Sequence, residues 1–180
     1  MAGGERLQRL LADLDARYRA LEIRLPDAAP PVRRWAGVLF RIGERAFLTP
    51  LEHIAEVLER PGEVTPIPGT RPWVRGVANH RGTLLPIFDL AILTLGDGAL
   101  RHESQRVLVV RQGELPCGLA VSQTVGIRHC EIDRSGGEPP GDLGILKPFV
   151  DSAYPLGDET VPVLALDRLI ADPALIHGTV

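Results

Sequence analysis

The sequence predicts a mainly β protein made of two similar small-barrel modules in tandem, with an amphipathic N-terminal helix and short further helices. From residue 35 onward, short apolar runs alternate with turns rich in glycine and proline, a pattern typical of small all-β folds. Residues 41–44 (Arg-Ile-Gly-Glu) align with residues 111–114 (Arg-Gln-Gly-Glu), and residues 83–87 align with residues 159–163. Because the two matches occur in the same order along the chain, they indicate an internal repeat.

The N-terminal segment predicts a helix over residues 5–21, followed by a short, stiff linker. Its apolar residues recur at helical spacing between charged ones: Leu7, Leu10, Leu11, Leu14, Tyr18 and Leu21. Pro26, Pro30 and Pro31 then end the helix. An apolar face this wide is usually buried in its own fold, but it would also suit docking to another chain. We expect residues 1–31 to form this helix and linker, and residues 32–177 to form the β domain.

The first half of the β domain predicts a series of short strands. Strands over residues 37–41 and 46–48 flank a turn at residues 42–45, which is a hairpin signal. Residues 54–58 form a further predicted strand, although residues 51–58 also fit a helical turn. Strands over residues 74–78 and 84–88 flank an Arg81-Gly82 turn, and residues 90–95 predict one helical turn that ends at Gly96.

The second half repeats this order of elements. Strands over residues 107–111 and 115–121 flank a Gln-Gly-Glu turn, and a longer strand follows over residues 125–132. A loop rich in glycine, proline and aspartate spans residues 135–144. A strand over residues 161–164 then leads into a short helix over residues 167–171, so each half ends on a strand followed by a helix.

The composition limits the classes of partner and the compartment. With 44% hydrophobic and 24% charged residues and a net charge of −3, the chain is typical of a soluble globular protein and offers no attraction for nucleic acid or anionic lipid. Its two cysteines, Cys117 and Cys130, are too few for a disulfide framework and are expected to be reduced thiols. The N-terminus lacks signal-peptide character and no apolar run approaches the ~20 residues of a membrane span. We expect a cytoplasmic protein that does not insert into a membrane directly.

No pattern in the sequence indicates catalysis, a metal site or a cofactor. No two of the five histidines lie four residues apart on a helix with an acid between them, as zinc proteases require. His129 and Cys130 are adjacent, so their side chains would point to opposite faces of a strand and could not share a metal ion. A Gly-x-Ser-x-Gly elbow and a phosphate-binding loop are both missing. We therefore predict no catalytic residues, no metal ligands and no cofactor.

The Arg81-Gly82 turn is the most informative feature of the chain. Gly82 permits a positive φ, and Asn79 can cap the turn through its side chain. A turn held in this way fixes the Arg81 guanidinium, whose donors suit a carboxylate on the same protein or on a partner. Glu56 is a plausible partner because its strand could lie near this hairpin in a small barrel. His80, inside the same turn, is expected to be a solvated loop histidine.

These residues resemble the CheW family of chemotaxis coupling proteins. The family pattern places a Val/Ile-x-Glu-Val/Ile-Leu segment before a proline, followed by Gly-Val-x-Asn-x-Arg-Gly-x-x-x-Pro-x-x-Asp-Leu. In this chain the positions are filled by residues 54–58 (Ile-Ala-Glu-Val-Leu), by Pro66 or Pro68, and by residues 76–90. The resemblance extends over residues 35–171 and is stronger in the first half.

The resemblance implies a fold and a function. It implies two five-stranded SH3-like β-barrels and a non-catalytic adaptor that joins the cytoplasmic tip of a methyl-accepting chemoreceptor to the regulatory domain of a CheA-like histidine kinase. The leading helix, Trp35 and the Trp73 region are similar to the PilI-type branch, which serves type IV pilus twitching motility. The partner-binding residues that we predict from the matched positions are Glu56, Val57, Asn79, Arg81 and Gly82.

The chain also departs from the family pattern, and other functions stay open. Ser122 occupies a position that is usually acidic in the second barrel, and His80 replaces an apolar residue before the arginine. The aliphatic residues Ile54, Val57 and Ile87 are candidate contacts, but positions of this kind are more often core. The alternative functions are a small β-barrel enzyme or ligand-binding module and, less favoured by the charge, a nucleic-acid-binding barrel.

Overall fold

The computed structural model describes residues 33–59, 62–96, 106–112, 115–132, 137–139 and 141–176, together with residues 11 and 13. The chain divides into two units, residues 1–32 and 33–180, and the β domain lies within the second. The predicted helix over residues 5–21 and its linker lie outside the described residues, apart from Leu11 and Asp13. The predicted loop over residues 135–144 is described only at 137–139 and 141–144.

One sheet has five strands, drawn from the two ends of the β domain. They are β1 (Arg34–Ile42), β2 (Arg45–Pro50), β9 (Gln123–Glu131), β10 (Val150–Leu156) and β11 (Glu159–Leu164). Their order across the sheet is β10-β11-β2-β1-β9, and all pairs are antiparallel except β11 with β2. We call it the first sheet.

The second sheet is formed by the middle of the chain. Its strands are β3 (Ile54–Leu58), β4 (Val64–Thr65), β5 (Val74–His80), β6 (Thr83–Asp89), β7 (Arg106–Gln112) and β8 (Leu115–Val121). They lie in the order β3-β7-β8-β6-β5-β4, with β6 and β8 parallel. The mainly β class is confirmed, and the second sheet has the two-residue strand β4 at its edge as a sixth member.

Two short helices follow strands at the predicted places, and a third, over residues 173–176, was not predicted. They are α1 (Leu90–Leu95), α2 (Leu166–Ala171) and α3 (Pro173–Ile176), with 3₁₀ turns over Leu51–His53 and Gly144–Phe149. Asp89 begins α1, because its buried carboxylate accepts hydrogen bonds from the N–H groups of Ala91 (2.9 Å) and Ile92 (3.1 Å). Both interpretations of residues 51–58 hold in part, since a 3₁₀ turn leads directly into β3.

Each sheet is completed by a hairpin from the other half of the chain. The order β1-β2, β3, β5-β6, α1 recurs as β7-β8, β9, β10-β11, α2, so the elements do repeat in tandem. However, hairpin β1-β2 pairs with β9 and β11, whereas hairpin β7-β8 pairs with β3 and β6. The two repeats therefore exchange hairpins, and neither sheet is built from one repeat alone.

The repeat is accurate to the residue in the exchanged pairs. Val57 of β3 pairs with Leu108 of β7, and Val38 of β1 pairs with Ile127 of β9. The two pairs are equivalent, because Ile127 lies 70 positions after Val57 and Leu108 lies 70 positions after Val38. Both ladders skip one residue, between Ile54 and Glu56 in β3 and between Thr124 and Gly126 in β9, again 70 positions apart. β3 and β9 are thus equivalent strands with equivalent bulges.

Each sheet curls around a core of its own, and a third core joins the two. Strands β3 to β8 all contribute to one cluster, made of Leu58, Val64, Ala78, Leu85, Ile87, Val107, Val109 and Ala120. All five strands of the first sheet likewise meet around Leu39, Leu48, Cys130, Tyr154 and Val161. The first sheet also closes at its edges, where the Glu131 N–H of β9 donates to the Tyr154 hydroxyl of β10 over 2.9 Å. The shared core lies between the barrels and includes Phe40, Phe88, Leu108, Leu119 and Leu166.

Candidate functional site

The β5-β6 turn is a two-residue loop with both residues in the left-handed region. Its ends, His80 and Thr83, are paired, Arg81 has φ +52° and Gly82 has φ +81°. Positive φ at both central residues is the signature of the type I′ turn that suits a twisted hairpin. Arg81 is the only residue other than glycine with positive φ in the described part of the chain. The fold thus tolerates backbone strain in order to place an arginine at this tip.

The side chain of Asn79 fastens this turn, as predicted. The Gly82 N–H donates to Asn79 Oδ1 over 3.0 Å. An asparagine that bonds to the backbone three residues on supports a turn independently of the strand ladder. Asn79 itself is exposed on the outer side of β5. Its contact therefore limits the motion of the Arg81 backbone from outside the barrel.

Glu56 reaches the turn from the opposite edge of the same sheet. Arg81 Nη2 donates to Glu56 Oε1 over 2.8 Å, and His80 Nε2 lies 3.1 Å from Glu56 Oε2. β3 is at one edge of the sheet and β5 is fifth in order, so only closure of the sheet can bring these groups together. The predicted Glu56–Arg81 pair is confirmed. The expectation that His80 is a solvated loop residue is wrong, because closure covers its ring and supplies it with an acceptor.

The side chains of Arg81, Glu56 and His80 differ in their exposure to solvent. About 75% of the Arg81 side chain is exposed, against 30% for Glu56 and 25% for His80. An ion pair as open as Glu56–Arg81 contributes only about 0–1 kcal/mol to stability. Its main effect is geometric: it fixes the direction of a guanidinium that uses one of its five N–H groups in this contact and can offer others to a partner.

Exposed apolar residues lie on the strands that carry this polar group. Val57, predicted as a contact, is 42% exposed, whereas Ile54 is half-buried and Ile87 is fully buried in the core. The sequence analysis missed Leu84, which pairs with Asn79 beside the turn and is 69% exposed. The period of two in a strand provided a signal for it, because Leu84 and Leu85 must face opposite sides. Leu85 is buried.

The described residues contain little that resembles a catalytic centre. Among them, no three histidine, cysteine, aspartate or glutamate side chains are grouped closely enough to hold a metal ion. Burial raises the pKa of the Cys117 thiol to about 12, and burial also raises the pKa of Cys130 against the opposing effect of Arg128. Neither thiol is activated as a nucleophile by such a shift. In the same part of the chain, no helix is long and apolar enough to cross a membrane.

Comparison with known proteins gives consistent matches over this fold. The family model described as the CheW-like domain matches residues 36–174. The chain is 37% identical over 145 residues to the protein PilI of Pseudomonas aeruginosa, covering 81% of each chain, and 33% identical over 94 residues to FrzA of Myxococcus xanthus, covering 52% of this chain and 58% of FrzA. The scaffolding protein TtCheW of Thermoanaerobacter tengcongensis superposes with a TM-score of 0.66 at 22% identity, over 79% of this chain and 90% of TtCheW. The predicted pair of SH3-like barrels is thereby confirmed.

Proposed function

The chain belongs to the CheW-like domain family, and from that membership we propose that it is a non-catalytic adaptor between a chemoreceptor and a histidine kinase. It joins the cytoplasmic tip of a methyl-accepting receptor to the regulatory domain of a CheA-like kinase. The match to PilI supports a pathway that controls type IV pilus twitching motility. The protein works in the cytoplasm and reaches receptor arrays through these partners.

The observation that best supports this function is the rigid, exposed arginine of the β5-β6 turn. Glu56, Asn79 and Gly82 all act on the position of Arg81, and none of them forms a cavity around it. Such a group suits docking to a surface rather than enclosure of a small molecule. We assign the partner-binding surface to Glu56, Val57, Asn79, Arg81 and Gly82, with the exposed Leu84 beside them.

The binding mode follows from the mixture of groups at this surface. A receptor tip is helical, so its apolar stripe would contact Val57 and Leu84 while a carboxylate on the helix engages Arg81. An arginine at the centre of such a contact commonly contributes about 1–3 kcal/mol to binding. Weak single contacts of this kind gain strength when many copies are held together in an array.

Reconstitution of receptor-stimulated kinase activity tests the proposal. Arg81→Ala should weaken the affinity for a purified receptor fragment about 5- to 150-fold. Arg34→Ala is the matched control, because Arg34 forms a similarly exposed pair with Glu131 (3.6 Å) on the first sheet. Full activity of Arg81→Ala, or an equal loss in Arg34→Ala, would refute the assignment of this surface.

A double-mutant cycle separates the positioning of Arg81 from its charge. If Glu56 acts only by holding Arg81, then Glu56→Gln weakens binding in the wild-type background and has little further effect in the Arg81→Ala background. Strictly additive losses would show that Glu56 contacts the partner independently. Co-purification of the wild-type protein with both a CheA-like kinase and a methyl-accepting receptor tests the adaptor function itself.

A further inference from the structure

We propose that His80 is a positioning residue of the partner-binding surface, one that holds Glu56 and thereby orients Arg81. This inference rests on the proposed adaptor function and adds a role for a residue that departs from the family pattern. Two donors contact different oxygens of the Glu56 carboxylate: His80 Nε2 is 3.1 Å from Oε2, and Arg81 Nη2 is 2.8 Å from Oε1.

The burial of His80 explains why it can hold the carboxylate more firmly than Arg81 does. Its ring is three-quarters covered, whereas the Arg81 side chain is three-quarters exposed. A covered side chain has fewer alternative rotamers and less competition from water for its hydrogen bond. The Glu56–His80 contact therefore fixes the carboxylate, and the carboxylate in turn orients the exposed guanidinium.

The affinity of the full-length protein for a purified methyl-accepting receptor fragment gives the decisive readout. His80→Gln retains an N–H donor for Glu56 and should bind with wild-type affinity. His80→Leu removes the donor and should bind about three- to tenfold more weakly. Because His80 acts through Glu56, His80→Leu should have little further effect in the Glu56→Gln background.

The control and the outcomes separate this inference from the proposed function. His129→Gln changes an exposed histidine on β9 of the other sheet and should retain wild-type affinity. Thermal unfolding of each variant identifies any loss that reflects misfolding, and His80→Ala, which also lacks the donor, replaces His80→Leu if that variant is unstable. Failure of the wild-type protein to bind any receptor fragment would refute the adaptor function. Wild-type affinity in a folded His80→Leu variant, or a loss in His80→Gln as large as in His80→Leu, would refute the role of His80 alone.

Discussion

Gly76 begins the Gly-Val-x-Asn-x-Arg-Gly pattern, and its replacement by alanine should disrupt the hairpin that presents Arg81. Gly76 has φ +130°, a region that side chains with a Cβ rarely adopt. A Cβ at this position would overlap the carbonyl oxygen of Thr65 and would lie 2.6 Å from its carbonyl carbon and 2.8 Å from Pro66 Cα. All three obstacles are backbone atoms, so no change of rotamer can remove the overlap.

A second glycine allows the two causes of destabilisation, backbone strain and steric overlap, to be measured separately. Gly126 has φ +140°, but a Cβ added there would meet no atom within 4 Å, so Gly126→Ala reports the backbone strain alone. Strain of this kind costs about 1–3 kcal/mol. Gly76→Ala adds the displacement of β5 from the segment before it, which we put at about 2 kcal/mol or more by analogy with overpacked sites. The expected total of about 4 kcal/mol is a large part of the roughly 5–15 kcal/mol of a typical domain.

Urea unfolding followed by circular dichroism measures both variants on the same scale. We expect Gly126→Ala to unfold cooperatively at a moderately lower urea concentration, and Gly76→Ala to unfold at a much lower one or to be recovered only in inclusion bodies. Receptor binding should fall with Gly76→Ala beyond what the unfolded fraction explains, because β5 sets the position of His80 and Arg81. Equal losses of stability in the two variants would refute the argument that the Thr65 backbone makes glycine necessary.

Three further predictions concern the rest of the fold. Asp89→Ala removes the buried cap of α1 and should lower the free energy of unfolding by about 1–2 kcal/mol in urea, with a smaller loss for Asp89→Asn. Burial raises the pKa of the Cys117 thiol to about 12, above the roughly 8.5 of an unfolded thiol, so the unfolded state loses its proton first and stability should fall between about pH 8.5 and about pH 12. Cys117→Ala should remove this fall in the free energy of unfolding, measured by urea unfolding at a series of pH values. Residues 1–96 and residues 97–180, each expressed alone, should lack a cooperative thermal transition, because each half lacks the hairpin that completes its sheet. A sharp transition in either half would contradict the hairpin exchange.

The parts of the fold that local chemistry determines were predictable from the sequence. Asn79 and Gly82 define a turn through their own side chain and backbone freedom, and the structure has the turn at that position. The helix after β6 follows from the Asp-Leu pair at Asp89 and the glycine at Gly96, and its bounds agree with the predicted ones. These features depend on residues within a few positions of each other, so periodicity and turn preferences suffice.

The parts that depend on distant pairing were not predictable in the same way. Periodicity predicts that β1-β2 and β7-β8 are hairpins, but it does not say which sheet each one completes. β10 was missed because Asp151 and Pro155 weaken its strand character, and an edge strand tolerates them. The contact of His80 with Glu56 required closure of the sheet, which no local pattern around His80 encodes.

The hairpin exchange has a consequence for the proposed adaptor function, which requires two partners. β8 ends at Val121 and β9 begins at Gln123, so Ser122 alone separates a strand of one barrel from a strand of the other. The junction is fastened to the β1-β2 turn, because the Gly43 N–H donates to Ser122 Oγ (2.8 Å) and the Ser122 N–H donates to the Arg41 carbonyl (2.9 Å). Here the serine that replaces an acidic residue of the family pattern supplies a neutral acceptor. Every strand pair lies within one sheet, so a hinge between the barrels would break no ladder, but it would have to open the close-packed shared core and this junction. Partners bound to different barrels would therefore be held at a fixed mutual orientation, which is the property that the proposed adaptor function needs.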